Sequence, residues 1–170
     1  MTISPPIHSL DLNFQNCSNA IASYLVPYKE GIILIESGPG STQQELKKNL
    51  TQLGYRLENL THLLLTHIHL DHAGAAGWLA QNGAEVFVHE RGYPHLINPE
   101  KLLASAARIY QDQMDSLWGD FLPVPEGQLH ALRDGEEIQV SSLVFRWLDP
   151  PGHANHHMAY LLDDVCFSGD

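Results

Sequence analysis

Between residues 63 and 72 an apolar run, Leu63-Leu64-Leu65, gives way to His67, His69, Asp71 and His72, so that four of six consecutive residues carry an imidazole or a carboxylate. That juxtaposition narrows the folds open to the chain. A short continuous apolar segment fits a strand buried on both faces better than an amphipathic helix, and its end is predicted near Thr66. In extended backbone the side-chain period is two, so His67 and His69 project to one side and can meet one ion. Asp71 and His72 are adjacent, and the chain must turn there for both to face the same cavity. A helix is predicted to begin just after His72 and to run to Ala80, although Gly74 and Gly77 interrupt it. Strand, ligand loop and helix then follow one another, with the ligands at the carboxyl end of a strand, where open α/β sheets place their sites. Imidazole with carboxylate suits zinc, and also iron or manganese as the share of carboxylate rises.

Residues 66–74, Thr-His-Ile-His-Leu-Asp-His-Ala-Gly, resemble the His-x-His-x-Asp-His signature of the metallo-β-lactamase fold superfamily. Asp149-Pro-Pro-Gly-His153 resembles that family's next ligand segment, and Phe167-Ser-Gly-Asp170 its Gly-Asp segment. Gly31 to Gly38 resembles the strand that ends in Asp-Thr-Gly, with Glu36 and Ser37 in those slots. The resemblance implies that His67, His69 and His153 hold one ion, that Asp71 and His72 help hold a second, and that Asp170 lies between the two. Two divalent ions are therefore expected, zinc first, with iron or manganese as alternatives. Glu36 carries one methylene more than the Asp it replaces and is a candidate for a place behind the ligands.

The family fold implied is an αββα sandwich, a mixed α/β layer arrangement. Because the chain stops at Asp170, short of the segment that supplies one more His, the second half is expected to be incomplete. Residues 1–170 then read as one metallo-β-lactamase-like domain, the first half plus the start of the second. The chain is expected to be a fragment or to pair with another polypeptide.

Taken in order, Ile7 to Phe14, Ala20 to Tyr28 and Gly31 to Glu36 read as a meander of strands. A helix follows from Ser41 or Thr42 to about Leu53, with Thr42 and Glu45 spaced as a capping box. Ala84 to His89 is a strand. Pro99 to Trp118 is the longest helical pattern, with Leu103, Ala106, Tyr110, Met114, Leu117 and Phe121 recurring at three- or four-residue spacing. Such a stripe faces a core. The competing reading is that Tyr110, Met114 and Trp118 wall a substrate pocket. Residues 128–170 are expected to begin a second sheet packed face to face on the first. Its strands lie near Leu129–Leu132, Glu137–Val140, Leu143–Leu148, His156–Leu162 and Val165–Ser168, with a hairpin turn at Arg133–Glu136. An unfinished sheet would leave apolar surface and an open edge, which favour association into a homo-oligomer.

Eleven histidines outnumber nine Lys plus Arg, and the net charge is −11. With no basic cluster, a phosphate-backbone partner is disfavoured and a small-molecule substrate favoured. No apolar run reaches membrane-spanning length, and Met1 to Pro6 has neither a basic nor an apolar segment, so no signal peptide is expected and the location expected is cytoplasmic. Cys17 and Cys166 read as small buried residues rather than a disulfide. His156 and His157 follow His153 closely, so at least one should face the site as a contact to a ligand or to substrate. His89 and His95 divide evenly between structural and pocket roles. His8, His62 and His130 read as ordinary residues.

A metal pair held by imidazole and carboxylate brings the pKa of bound water near neutrality and polarises a carbonyl or phosphoryl oxygen, so no Ser or Cys nucleophile is needed. Asp71 is the candidate catalytic residue, orienting the nucleophile or carrying a proton to the leaving group. The function expected is a metal-dependent hydrolase using metal-activated water on an ester, thioester or lactone. Phosphodiesters are disfavoured by the acidic surface, and a β-lactam by the absence of a secretion signal. Two other readings remain: a one-iron oxygenase of thiol-derived substrates, and a non-catalytic metal-binding part of a larger assembly.

Overall fold

The computed structural model describes residues 5–133, 135–150 and 152–170. The first four residues, Asp134 of the Arg133–Glu136 turn and Pro151 of the 149–153 segment lie outside the described residues. Two antiparallel neighbours, β1 (His8–Asp11) and β2 (Ala22–Tyr28), lead into β3 (Gly31–Ile35), which is almost wholly Ile and Leu and is buried on both faces. The helix α1 (Gln43–Gln52) then carries the chain to β4 (Leu60–Leu64), which pairs with β3 in parallel. Next come α2 (Leu70–Ala73), α3 (Ala76–Gln81) and β5 (Glu85–His89), the last parallel to β4. After α4 (Tyr93–Ile97), α5 (Glu100–Tyr110) and α6 (Met114–Trp118), β6 (Leu129–Leu132) closes a six-stranded sheet in the order β1-β2-β3-β4-β5-β6. A second, antiparallel sheet holds β7 (Glu137–Val140), β8 (Leu143–Leu148), β9 (Ala159–Leu162) and β10 (Val165–Phe167), in the order β10-β9-β8-β7.

Alternation of side chains along the strands makes two cores out of one sheet. Leu34, Leu63 and Val86 on one face meet Leu46 and Leu50 of α1 and Ala76 and Leu79 of α3. Leu46 and Leu50 are fully buried, and each stabilises the fold by about 1.5–3 kcal/mol relative to exposure. On the other face Ile33, Ile35 and Leu64 meet Ile138, Phe145, Tyr160 and Phe167 of the second sheet. The layers are helix, sheet, sheet: the mixed α/β sandwich expected, with three of its four layers in the described residues. The outer face of the second sheet leaves Val144 at 36% and Leu148 at 47% exposure.

Several boundaries differ from the sequence reading, some for local reasons and some for contacts made far along the chain. Glu36 does not extend β3, because its backbone is left-handed (φ 67). Neither Thr66 nor His67 continues β4. Asp71 and His72 are not in a loop before a helix but in the first turn of α2, whose start is set by the His69 carbonyl accepting His72 N–H at 3.0 Å and Ala73 N–H at 2.9 Å. Thr42 makes no capping box; its hydroxyl donates to Pro39 O at 2.9 Å while Glu45 pairs with Lys48. The long helix is broken at Gln111 (φ 49), so α5 and α6 present separate faces. β6 belongs to the first sheet, and the second begins at β7. His156 precedes β9, since the 152–158 segment is held off the ladder by Met158 N–H donating to Thr66 O at 2.7 Å. Cys17 and Cys166 are free and exposed rather than buried, one in an irregular turn and one on the outward side of edge strand β10.

Candidate metal centre

The strand ends β3 and β4 open toward one spot, and the loops that follow deliver the nitrogen-rich side chains there. Thr66 Oγ1 lies 2.9 Å from His67 Nδ1, which fixes that ring with Nε2 turned to the centre. His153 Nε2 lies 3.1 Å from His67 Nε2 and 2.9 Å from His69 Nδ1. A tetrahedral ion with bonds of about 2.0–2.1 Å separates its ligand atoms by about 3.3 Å, so the three nitrogens are nearly at ligand spacing. Neutral imidazoles can satisfy one N–H···N contact among them; one shared cation satisfies all three. His67, His72 and Asp170 form a second group whose donor atoms lie within 4.8 Å of one another. The Asp170 carboxylate faces both groups, with Oδ1 at 3.3 Å from His72 Nε2 and Oδ2 at 3.6 Å from His153 Nε2. Asp71 Oδ2 lies 3.4 Å from His72 Nε2. The donor set therefore fits a divalent metal centre, its two groups sharing His67, and all six residues expected as ligands are brought together.

Glu36 sits behind His72. Its left-handed backbone, held by Glu36 N–H on Leu64 O at 3.0 Å and Ser37 N–H on His72 O at 2.8 Å, turns the carboxylate under the ring. Oε1 then accepts Thr66 N–H at 3.3 Å and lies 3.4 Å from His72 Nδ1, a charge contact rather than a hydrogen bond, since neither His72 Nδ1 nor Oε2 has a hydrogen-bond partner. Such a pairing orients an imidazole and raises its basicity as a ligand. Glu36→Gln should weaken binding of an ion at His72 by about 10–100-fold while leaving the His67, His69, His153 group intact, as read by two-step metal titration.

The charge pattern is uneven. Burial, reinforced by the neighbouring His72, His69 and His153, holds the His67 imidazole far below its usual range. His69 is lowered by burial and His153. Burial also acts on His72, but Asp71 and Glu36 overcome it and push the ring up to about 10. Burial, with His69 nearby, takes His156 down to about 4. For the metal-free protein the sign follows. His67 and His156 stay neutral when folded but bind protons when unfolded, so stability is lost as pH falls below the unfolded value of 6.5. His72 acts oppositely, but its contribution is already nearly complete at neutral pH. The melting temperature of metal-free protein should therefore drop between pH 7 and pH 5, and calorimetry across that range checks it.

Several supports were not evident from the sequence. Gly169 (φ 66) lies so close to Thr66 and His157 that an added Cβ would be 2.6 Å from Thr66 Oγ1 and 2.8 Å from His157 Nε2. His157 Nε2 contacts Ser168 O at 2.8 Å, tying the His153 loop to the Asp170 segment. Tyr160 Oη donates to Leu65 O at 2.9 Å just before the ligand loop. Arg91 Nη1 donates to Asn155 O at 3.0 Å, bracing the His153 loop from the β5 side. Gly74 allows α2 to approach the 38–40 loop, since a Cβ there would be 2.7 Å from Pro39 Cα. Only the glycines carried a sequence signal. His156, with its ring 5.6 Å from that of His69, and His157, 5.2 Å from His67, both border the centre. His89 has a structural place, edge-on to Trp147 with Nδ1 accepting Arg91 N–H.

Two cavities meet at Asp71 and Asp170. One, of about 650 Å³, lies between the β1–β2 hairpin and β10 and reaches Glu36 and His72. The other, of about 380 Å³, lies beside His69 under α5 and is walled by Tyr110 and Trp118. Met114, half-buried at the start of α6, is not among the lining residues, because the break at Gln111 turns α6 out of register with α5.

Comparison with known proteins adds an independent line. A model of the metallo-beta-lactamase superfamily matches residues 19–170. A metallo-beta-lactamase fold-containing protein of Sulfurisphaera tokodaii is 30% identical over 118 residues, 67% of this chain and 45% of that protein. An atrochrysone carboxyl ACP thioesterase of Pseudocercospora fijiensis is 32% identical over 114 residues, 66% of this chain and 25% of that protein. The crystal structure of a metallo-beta-lactamase family protein from Thermus thermophilus superposes with a TM-score of 0.75 at 27% identity, covering 96% of this chain and 58% of that one. The chain thus spans less than half the length of the two curated relatives.

Proposed function

Because the chain belongs to the metallo-β-lactamase superfamily, we propose that it is the ligand-bearing part of a metal-dependent hydrolase acting on an ester, thioester or lactone. The observation that carries this reading is the Asp170 carboxylate, which reaches toward both groups of donors. In this reading His67, His69 and His153 hold one ion, Asp71 and His72 hold a second with Asp170 between them, and zinc suits the donor set best. Bound divalent ions supply a Lewis acid and a water acidic enough to act at neutral pH. The chain's own residues do the rest. Glu36 backs His72, and Thr66 Oγ1, 2.9 Å from His67 Nδ1, holds the angle of the His67 ring. Asp71, beside His72 and open to both cavities, accepts a proton from the nucleophile or passes one to the leaving group. Similarity to the Pseudocercospora thioesterase favours acyl transfer to water over other chemistry.

Residues 1–170 form, in this reading, the first half and the start of the second half of one domain. The substrate is a small molecule, since neither cavity is lined by Lys or Arg. Exposed free thiols at Cys17 and Cys166 suit a reducing, cytoplasmic setting. Among the described residues no helix is long and apolar enough to cross a membrane. The outer face of the second sheet, with Val144 and Leu148 exposed, is the surface for association with a further chain or copy, which light scattering reads.

A screen of metal-loaded protein against matched ester, thioester, lactone, phosphodiester and β-lactam substrates tests the reading. Turnover of the acyl substrates that is lost on chelation is the result expected; turnover confined to phosphodiesters would overturn it. Within that assay Asp71→Asn should retain the fold by circular dichroism and lose about 10²–10⁴-fold in kcat. An unchanged kcat would remove Asp71 from the proton transfer.

A further inference from the structure

The cavity beside His69 differs from the rest of the site in composition. Its floor is polar, formed by His69, Asp71 and Asp170, but its wall is mainly apolar, with Leu102, Ile109 and Tyr110 of α5 and Trp118 of α6, and Ser105 as a small hydroxyl among them. Ile109 is 71% exposed, more than any other exposed large apolar side chain among the described residues. An isolated exposed apolar residue is ordinary, but one at the rim of an apolar wall next to ligand-type side chains marks a surface suited to cover by a ligand. The wall is also built to keep its shape. Trp118 packs edge-on against Tyr110 at 5.0 Å and stacks on Phe14 at 5.5 Å, while Ser41 Oγ donates to Leu117 O at 2.6 Å and Gln15 Nε2 to Ser116 O at 2.7 Å. Phe14, Gln15 and Ser41, all from the first quarter of the chain, thus hold α6 in place.

Charge narrows what this cavity can take. No Lys or Arg lines it. The two cations of α5, Lys101 and Arg108, each precede a wall residue, and a helix turns about 100° per residue, so both project from a different flank. A carboxylate or phosphate on the distal end of a substrate would find apolar side chains with no counter-ion there, and burying it unpaired is costly. We propose that this cavity receives the acyl part of the substrate and selects an uncharged, apolar acyl chain, with Leu102 and Ile109 as the specificity-determining residues. The proposal rests on the hydrolase reading for its reaction, but the binding preference can be measured apart from it.

The test has two arms on the metal-loaded protein. In the first, kcat/KM is measured for acetyl, butanoyl and hexanoyl thioesters with one common thiol, and for the adipoyl half-thioester of that same thiol, which matches the hexanoyl chain but ends in a carboxylate. The expected result is a rise of about fourfold per added methylene, the factor for about 0.8 kcal/mol, and a hexanoyl preference over adipoyl of at least about tenfold. Ile109→Asp should flatten the series and Ile109→Leu should keep it. In the second arm, acetamide, butanamide, hexanamide and adipamic acid are titrated against the fluorescence of Trp118, with Trp118→Phe as the control. Affinity should rise along the uncharged series and fall for the acid. A flat series, a series that survives Ile109→Asp, or a preference for the carboxylate-ended probe in either arm would overturn the proposal. No hydrolysis in the first arm with the expected order in the second would sink the hydrolase reading and leave the cavity's preference standing.

Discussion

Replacing His69 with alanine should remove the capacity of the His67, His69, His153 group to hold an ion, with metal affinity there falling about 10²-fold or more and turnover falling with it. The expectation rests on spacing. His69 Nδ1 lies 2.9 Å from His153 Nε2, and His153 Nε2 lies 3.1 Å from His67 Nε2, so the middle member touches both others and the group loses closure when an end is cut away. Binding energy of metal at protein sites is on the order of 10 kcal/mol shared among a few ligands, so one ligand of three is worth several kcal/mol. The fold should survive, since the His69 contribution to α2 is made by its backbone carbonyl. Metal analysis of the purified variant beside its far-ultraviolet dichroism checks both halves. Full occupancy in His69→Ala would detach this residue from the centre.

The second large effect is expected at Gly169. In Gly169→Ala the new methyl group would stand 2.6 Å from Thr66 Oγ1 and 2.8 Å from His157 Nε2, at a backbone angle of φ 66. Left-handed backbone alone costs about 1 kcal/mol or more for a residue with a Cβ. The contacts add to that, and both neighbours are tied to the centre, Thr66 through His67 and His157 through Ser168. Asp170, the next residue, would be carried off position, and a displacement of about 1 Å is enough to cost about 10²-fold in rate. The total expected is a destabilisation of about 2–4 kcal/mol together with that loss of rate. Gly54→Ala is the control, because Gly54 is also left-handed (φ 84) but has nothing within 4 Å of the added Cβ. Equal melting temperatures for the two variants would mean that crowding at Gly169 has no part in placing Asp170.

What the sequence disclosed, and what it withheld, follows from the range of each interaction. The pairing of His67 with His69 was legible because alternate residues of extended backbone share a side, whereas His153 and Asp170 were reached only through the resemblance of their Gly-His and Gly-Asp segments to those of the superfamily. The face-to-face sheets were expected from the same resemblance, and the period-two burial along Leu143–Leu148 agrees with it. Asp71 and His72 were assigned to a loop because nothing in their side chains announces a helix whose first carbonyl comes from His69. The single helix over 99–118 failed for a related reason: the apolar stripe continues past Gln111, while a left-handed backbone there breaks the axis and swings Met114 away from the cavity. Glu36 reads as the end of a strand, but its left-handed backbone is set by its own N–H on Leu64 O and by Ser37 N–H on His72 O, partners 28 and more residues away. The assignment of β6 to the first sheet depends on parallel pairing with β5 across the 39 residues between His89 and Leu129, and no local pattern records that.

Turnover that depends on two adjacent divalent ions held by one constellation is what we propose for this chain. Titration of metal-free protein with zinc, followed by calorimetry and by turnover of a hexanoyl thioester at each point, tests it most directly. The account predicts two binding steps, the first assigned to the His67, His69, His153 group by its loss in His69→Ala and the second weakened in Glu36→Gln, with turnover appearing only as the sites fill. Full turnover by protein stripped of metal, with no binding step of either kind, would contradict it.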